Sequence, residues 1–536
     1  MKKTVLWITV VLVFCIFISG CSSPSNSKPK IEWKDVSVPA STPELALAWI
    51  LENAQDGNSC TVNLDGGNYE LPSNNDLGFN DNRNVKIIIT AASPVTITLK
   101  SGEKGYLFGV GKNITLVLEN NISLTGVSSN TRTLVEVWEN GTLEMKEGSK
   151  ISGNKLTAAD RGGGAILVYG GHFTMSGGII ENNDAIKGGG VGIIKATFTM
   201  TGGEIKNNKA TSESGGGVWL WDNANFTMSG GKIESNETKE AGGGVYVGGI
   251  SSFSMSGGEI KNNIAEGGGG IGIGHESQFT MSGNALIEAN ISDEWGGGGI
   301  SVFDKSTFTM TNGEIKNNTT TGGGGGVCIS EESQFTMSGT ALILSNEAGI
   351  HGGGGVMVCQ ESTFTMKGGT IKLNTEPGQS GGGVAVWDPS TNFIMESGTI
   401  EQNKTLTNDG GGVVVGSFGI FTMKGGTIKE NTAQVNGGGV FVCETGAHFI
   451  MEGGSIEQNT ATTGTGGGVF IWQSSFSKTG QSVISGNSAF DMNKNVSAES
   501  FSIFGYRTAD IPAGENISAE WDGSNYTFSP PTSWDP

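Results

Sequence analysis

The chain has 536 residues, 90 of them glycine and 12 proline, with 52 acidic against 32 basic side chains and a formal net charge of −20. Glycine is far above its usual share of roughly 7%, yet no Gly-X-Y period runs through it, which excludes collagen. An acidic body argues against nucleic acid as a partner and against electrostatic docking on anionic lipid.

The first residues have the layout of a secretory signal peptide. Lys2 and Lys3 are followed by an apolar run from Thr4 to Phe17, too short for a comfortable membrane span. Ile18-Ser19-Gly20-Cys21 then resembles the lipobox of bacterial lipoproteins. That resemblance implies removal of residues 1–20 and lipidation of Cys21, which makes a membrane the expected partner of the lipid. The expected location is the cell envelope, on the outer membrane and exposed at the surface. Residues 21–32, rich in Ser and Pro, read as a flexible tether.

Residues 33–139 read as an N-terminal cap and irregular first coils. In "STPELALAWILENAQDG", Ser41 or Thr42 caps a helix, Pro43 and Glu44 fill its first turn, and Gly57 stops it. Leu47, Ile50, Leu51 and Ala54 supply one apolar face. "VKIIIT", "VTITLK" and "ITLVLE" follow as strands.

Residues 140–490 are a repeat of about 28 residues. A glycine run leads into an aliphatic residue (Val191, Val218, Val245, Ile271 and onward), then Phe-Thr-Met, then Ile-x-x-Asn. Twelve copies keep this order, and a degenerate one, "LEMKEGSKISGN", precedes them. Two places after each leading aliphatic stands another aliphatic, while the residue between varies freely: Trp219, Tyr246, Gly272, Ser301, Cys328. Alternation fixed on one face and free on the other is a half-buried strand. Phe-Thr-Met reads the same way, with Thr outward, and Ile-x-x-Asn ends a third strand at a corner, where Gly and Asn tolerate positive φ. No copy can bury its own apolar face, so copies stack like on like. The expected fold is all-β: a right-handed parallel β-helix solenoid with about 12–13 regular coils.

"GGGV", "FTM" and "IxxN" resemble the repeats of the pectin-lyase-like β-helix superfamily and of chlamydial polymorphic outer-membrane proteins. The resemblance covers residues 140–490 and implies the fold; that superfamily hosts both lyases and adhesins. Residues 491–536 drop the repeat and are expected to form a C-terminal cap and tail, too short for an autotransporter barrel.

Catalytic chemistry is hard to place. The four arginines are Arg83, Arg132, Arg161 and Arg507, none between residues 162 and 506, and His275 and His351 stand isolated. Cys60, Cys328, Cys359 and Cys443 lack CxxC spacing and partnering histidines, so no zinc site, other metal or cofactor is expected. An acidic row (Asp222, Asp304, Glu331, Asp388, Glu444) reads as a solvated outer row, with weak calcium binding as the alternative. One place before it, on the face of Trp219, stand Trp221, Phe303, Trp387 and Trp472, three coils apart. Exposed Trp beside Asp (Trp221-Asp222, Trp387-Asp388), with Phe303-Asp304 between, is a way to hold a sugar by ring stacking and hydroxyl hydrogen bonds. "DAIK", "ETKEA", "TEPGQS" and "KTLTND" vary as display loops do. The expected function is an adhesin-like binding scaffold for host or matrix glycans or proteins. The alternatives are a pectin-lyase-like enzyme and a passive structural or antigenic surface protein.

Overall fold

The computed structural model describes residues 31–157, 162–293, 296–490, 495–499, 504–507, 509–522 and 524–530. Residues 1–30, which include the expected signal peptide and Cys21, as well as Arg161 and the last six residues, lie outside them.

Each repeat makes one lap of a right-handed parallel β-solenoid of about 16 coils. In the third copy the glycine run leads into Val218–Trp221; Asn225–Met228 and Lys232–Glu234 follow, and the two-residue strand Glu237–Thr238 closes the lap. Within the repeats, each of these strands pairs in parallel with its counterparts one lap away. Val218 lies beside Val191 and Val245, Phe226 beside Phe198 and Phe253, and Ile233 beside Ile205 and Ile260. At ~4.8 Å per coil the rod is on the order of 70 Å long.

Alternation sets what is inside. Phe226 and Met228 are buried and Thr227 is exposed. The column from Phe173 to Phe476 stacks ring on ring, with centroids between 4.4 and 5.2 Å apart. The asparagines form a second column, buried from Asn154 to Asn487. Asn236 donates from Nδ2 to the Ile205 carbonyl at 2.9 Å and to Oδ1 of Asn263 at 3.1 Å, and its backbone N–H donates to the same oxygen at 2.9 Å. The corner itself is turned by the preceding residue: Asn207, Ser235, Asn262 and Ala289 have φ between 53° and 56°. The asparagines therefore serve as hydrogen-bonding rungs, and the positive φ expected of them belongs to their neighbours.

The segments expected to be free loops are partly ordered. Asp184–Ala185, Lys209–Ala210, Glu237–Thr238 and their successors form two short parallel ladders of six and five strands. In the second, Glu376 is fully buried. Its Oε1 accepts the backbone N–H of Gly378 at 2.9 Å and that of Gln379, while Oε2 has no partner. Burial holds its carboxyl above the ordinary 4.5, against the pull of those two N–H groups. An acid whose folded pKa is raised contributes stability below its unfolded pKa and loses it as pH climbs through the folded value. Glu376→Thr, the residue the next lap carries at Thr405, should therefore melt higher than the parent at neutral pH. That advantage should vanish below the ordinary glutamate range. Thermal melts of both chains across pH test it; a pH-independent difference refutes it.

Both ends are covered, as bare strand edges require. The helix Pro43–Asn53 buries Pro43, Ala46, Leu47 and Ile50, with Ala54 just beyond it. Leu51, expected on that face, is 42% exposed, because the buried stripe runs through Ala46 instead. Thr42 is the N-cap residue but its side chain makes no capping bond. At the other end, Val496–Glu499 prolongs the glycine-run sheet in parallel, and three antiparallel strands, Phe504–Arg507, Ile517–Trp521 and Tyr526–Ser529, then finish the rod. Lys478 stands where earlier laps have Met. Its buried Nζ donates to the carbonyls of Pro512 at 3.1 Å and Glu515 at 2.7 Å, so the residue that breaks the Met column also holds the cap.

Candidate functional site

The candidate site is the outward side of the glycine-run strands. In Val218–Trp221 the aliphatics point in, so Trp219 and Trp221 point out, as the alternation requires. Exposure is lower than expected. Trp219 is 6% exposed, its ring within reach of Gly162, its Cβ near Gly188, and the Lys187 ammonium 5.1 Å from its centroid. Trp221, Phe303, Trp387 and Trp472 are half-buried. The physical reason is that the rings lie along the rod over neighbouring glycines. A Cβ on Gly248 would meet Trp221 at 2.8 Å, on Gly274 Phe303 at 2.4 Å, and on Gly416 Trp387 at 2.1 Å. Trp219 and Trp221 also stack on each other, centroids 5.7 Å apart.

Three hollows open along this face. The first, about 410 Å³, is lined by Lys187, Glu213, Trp219, Trp221, Glu240, Tyr246 and His275. The second, about 420 Å³, shares Glu240 and includes Glu266, Phe303, Cys328, Glu331, His351, Met357, Cys359 and Asp388. The third, about 800 Å³, shares Glu331 and Asp388 and adds Asp304 and Lys305. Shared walls make them one trough. Of the expected site residues it brings together Trp219, Trp221, Phe303, Asp304 and Asp388. Asp222 stands outside, paired with Lys195 at 3.1 Å. Trp387 and Trp472 pack instead on a separate apolar cluster of Ala385, Val414, Phe441, Cys443 and Phe470.

The acidic row is a row of corners. Asp222, Asp304, Glu331, Asp388 and Glu444 all have positive φ, between 52° and 79°. Among the described residues no group of three or more His, Cys, Asp or Glu is arranged to hold a metal ion. His275 is not isolated: its Nδ1 lies 2.6 Å from Oδ2 of Asp304 in the next lap, and its ring meets Trp221 edge-on at 5.2 Å. His351 is exposed, and its carbonyl accepts the Trp387 Nε1–H at 3.2 Å. The four cysteines in the described residues are buried and free. The neighbouring Cys328 thiol, burial, and the nearby Asp388 and Glu331 push the Cys359 thiol up. Burial also pushes up the phenol of Tyr246.

One cluster was not legible in the sequence. Asp76, Gly109 and Glu136 stand side by side on the outward face of the irregular first laps. Glu136 is 1% exposed and clasped by Arg132, with Nε 2.6 Å from Oε1; Tyr106 bonds Asp76 and receives the guanidinium over its ring at 5.3 Å. Uneven lap lengths hide this register from any periodicity search. The tightly paired, buried carboxylate makes it a structural clamp.

The family model described as "Right handed beta helix region" matches residues 172–322, 279–420 and 308–489. No curated protein and no solved structure matches the chain.

Proposed function

The chain belongs to the right-handed β-helix family, and from that premise we propose that it is a surface-exposed, lipid-anchored binding scaffold whose trough holds a neutral glycan. The observation that supports this is the continuity of the trough. Hollows that share Glu240, then Glu331 and Asp388, run along the rod axis and suit an extended ligand. Trp221 offers a partly accessible ring, and Glu213, Glu240, Glu331 and Asp388 offer acceptors for hydroxyl hydrogens. The same carboxylates repel a polyuronate, so the ligand class is uncharged polysaccharide. Cys21 supplies the anchor in this reading.

Glycan-array binding by the parent and by Trp221→Ala tests the ligand. Neutral glycans should be retained by the parent and lost by the variant, with uronate polymers bound by neither. Equal binding by parent and variant removes the glycan. For the anchor, Cys21→Ser should move the chain from the membrane fraction to the soluble one; unchanged fractionation refutes it. A second reading, glycan cleavage, is favoured by one observation, the His275–Asp304 pair within the trough. Release of reducing or unsaturated ends from polysaccharide, abolished in His275→Ala, would select it.

A further inference from the structure

The floor of the second hollow carries three sulfur atoms from two adjacent laps. Cys328 and Met357 are direct partners in the parallel ladder, and Cys359 follows two places along the same face as Met357. All three line the hollow, with Cys328 and Cys359 only 9% and 7% exposed. Cys359 Sγ donates to the Ile329 carbonyl at 3.6 Å. A glycine makes room for the thioether: a Cβ on Gly323 would lie 2.1 Å from Met357 Sδ.

This arrangement does not suit a disulfide. Cys328 pairs with Met357, so Cys359 is its diagonal neighbour. With parallel strands ~4.8 Å apart and a rise of ~3.3 Å per residue, such diagonal neighbours have Cα atoms roughly 8 Å apart, beyond the ~7 Å limit for bridging without backbone movement. The ladder bonds on either side, Val327 N–H to Gly355 carbonyl at 3.0 Å and Cys359 N–H to Ile329 carbonyl at 2.9 Å, oppose that movement. Two thiols that the backbone keeps from forming a disulfide, with a thioether between them in the same hollow, are a donor set for a soft ion of low coordination number. Thiolate and thioether sulfur select Cu(I) over the hard cations that carboxylates prefer.

We propose that Cys328, Met357 and Cys359 form a binding site for one Cu(I) ion. Two Cu–S bonds form as the two thiol protons leave to solvent, Met357 adds its sulfur lone pair, and no electron is transferred. Copper stays monovalent because the sulfurs disfavour the tetragonal N and O geometry of Cu(II). The site does not depend on the glycan reading, since it uses the floor of one hollow and not the rings.

The test is an anaerobic titration of the intact chain with Cu(I) against a competing chromophoric chelator. One equivalent should bind, with an affinity that falls by about 100-fold or more in Cys328→Ser and in Cys359→Ser. Met357→Leu should weaken it less, and Cys443→Ser and Cys60→Ser should leave it unchanged. All three liganding side chains point away from the core, and circular dichroism of each variant establishes that the rod is intact. X-ray absorption of the loaded parent gives an independent readout. A sulfur-only shell supports the site. A nitrogen or oxygen shell, or parental affinity in the Cys328→Ser/Cys359→Ser double variant, overturns it.

Discussion

Asn318→Ala is expected to destabilise the rod by roughly 2–6 kcal/mol and to divide its unfolding into two transitions. Asn318 is fully buried. Its Nδ2 donates to the Ile287 carbonyl at 3.1 Å and to Asn346 Oδ1 at 3.0 Å, while its own Oδ1 receives the backbone N–H of Asn290 at 2.9 Å and Asn290 Nδ2 at 3.0 Å. Alanine leaves the Ile287 carbonyl and the Asn290 backbone N–H without those partners in a dry interior. Each such orphan costs about 1–3 kcal/mol. A solenoid holds together through nearest-neighbour interfaces, so a weakened rung uncouples the laps before it from those after. Urea unfolding followed by circular dichroism reads both effects. Outward-facing Thr309→Ala, in the same lap, should stay within about 0.5 kcal/mol of the parent. An Asn318→Ala curve that is single and equally shallow in shift would refute the rung.

The contrast between Asn318 and Trp221 marks where sequence reading stops. Inside the rod, a residue's neighbours are its own counterparts one lap away, so a repeat that reads Phe, Met, Ile, Asn names its own contacts; the stack from Phe173 to Phe476 follows directly. Outside the rod, a residue meets whatever the neighbouring lap has at a variable position. The half-burial of Trp387 depends on Gly416, and that of Phe303 on Gly274, and neither pairing is a property of the repeat. The closing strands such as Glu237–Thr238 escaped notice because two residues carry no period. The Arg132–Glu136 clasp escaped because the early laps differ in length. Lys478 could have been found: a Lys where twelve laps otherwise favour Met is a break in pattern, and it sits at the point where the cap takes over.

Phe308→Ala should cost about 3–5 kcal/mol and should leave a slot that the structure cannot close. Phe308 is fully buried between Phe279 and Phe335, with centroids 5.0 and 4.5 Å away. In most cores part of such a cost is recovered as neighbours relax inward. Here the lap spacing is fixed by ladder bonds on both sides of the residue, among them Thr307 N–H to Ser277 carbonyl and Gln334 N–H to Ser306 carbonyl, each 2.9 Å. The flanking rings cannot approach without breaking those bonds, so the loss lies near the upper end of the range. An apolar slot that stays open also stays dry and accepts a small apolar guest. Saturating benzene should accordingly raise the melting temperature of Phe308→Ala and leave the parent unmoved. Phe476→Ala provides the internal comparison. That ring has a lap on one side and the antiparallel strand carrying Ala519 on the other, so it stacks on one ring instead of two and should lose less and show no benzene effect. Equal losses at the two positions would mean that the ladder, rather than resisting collapse, yields to it.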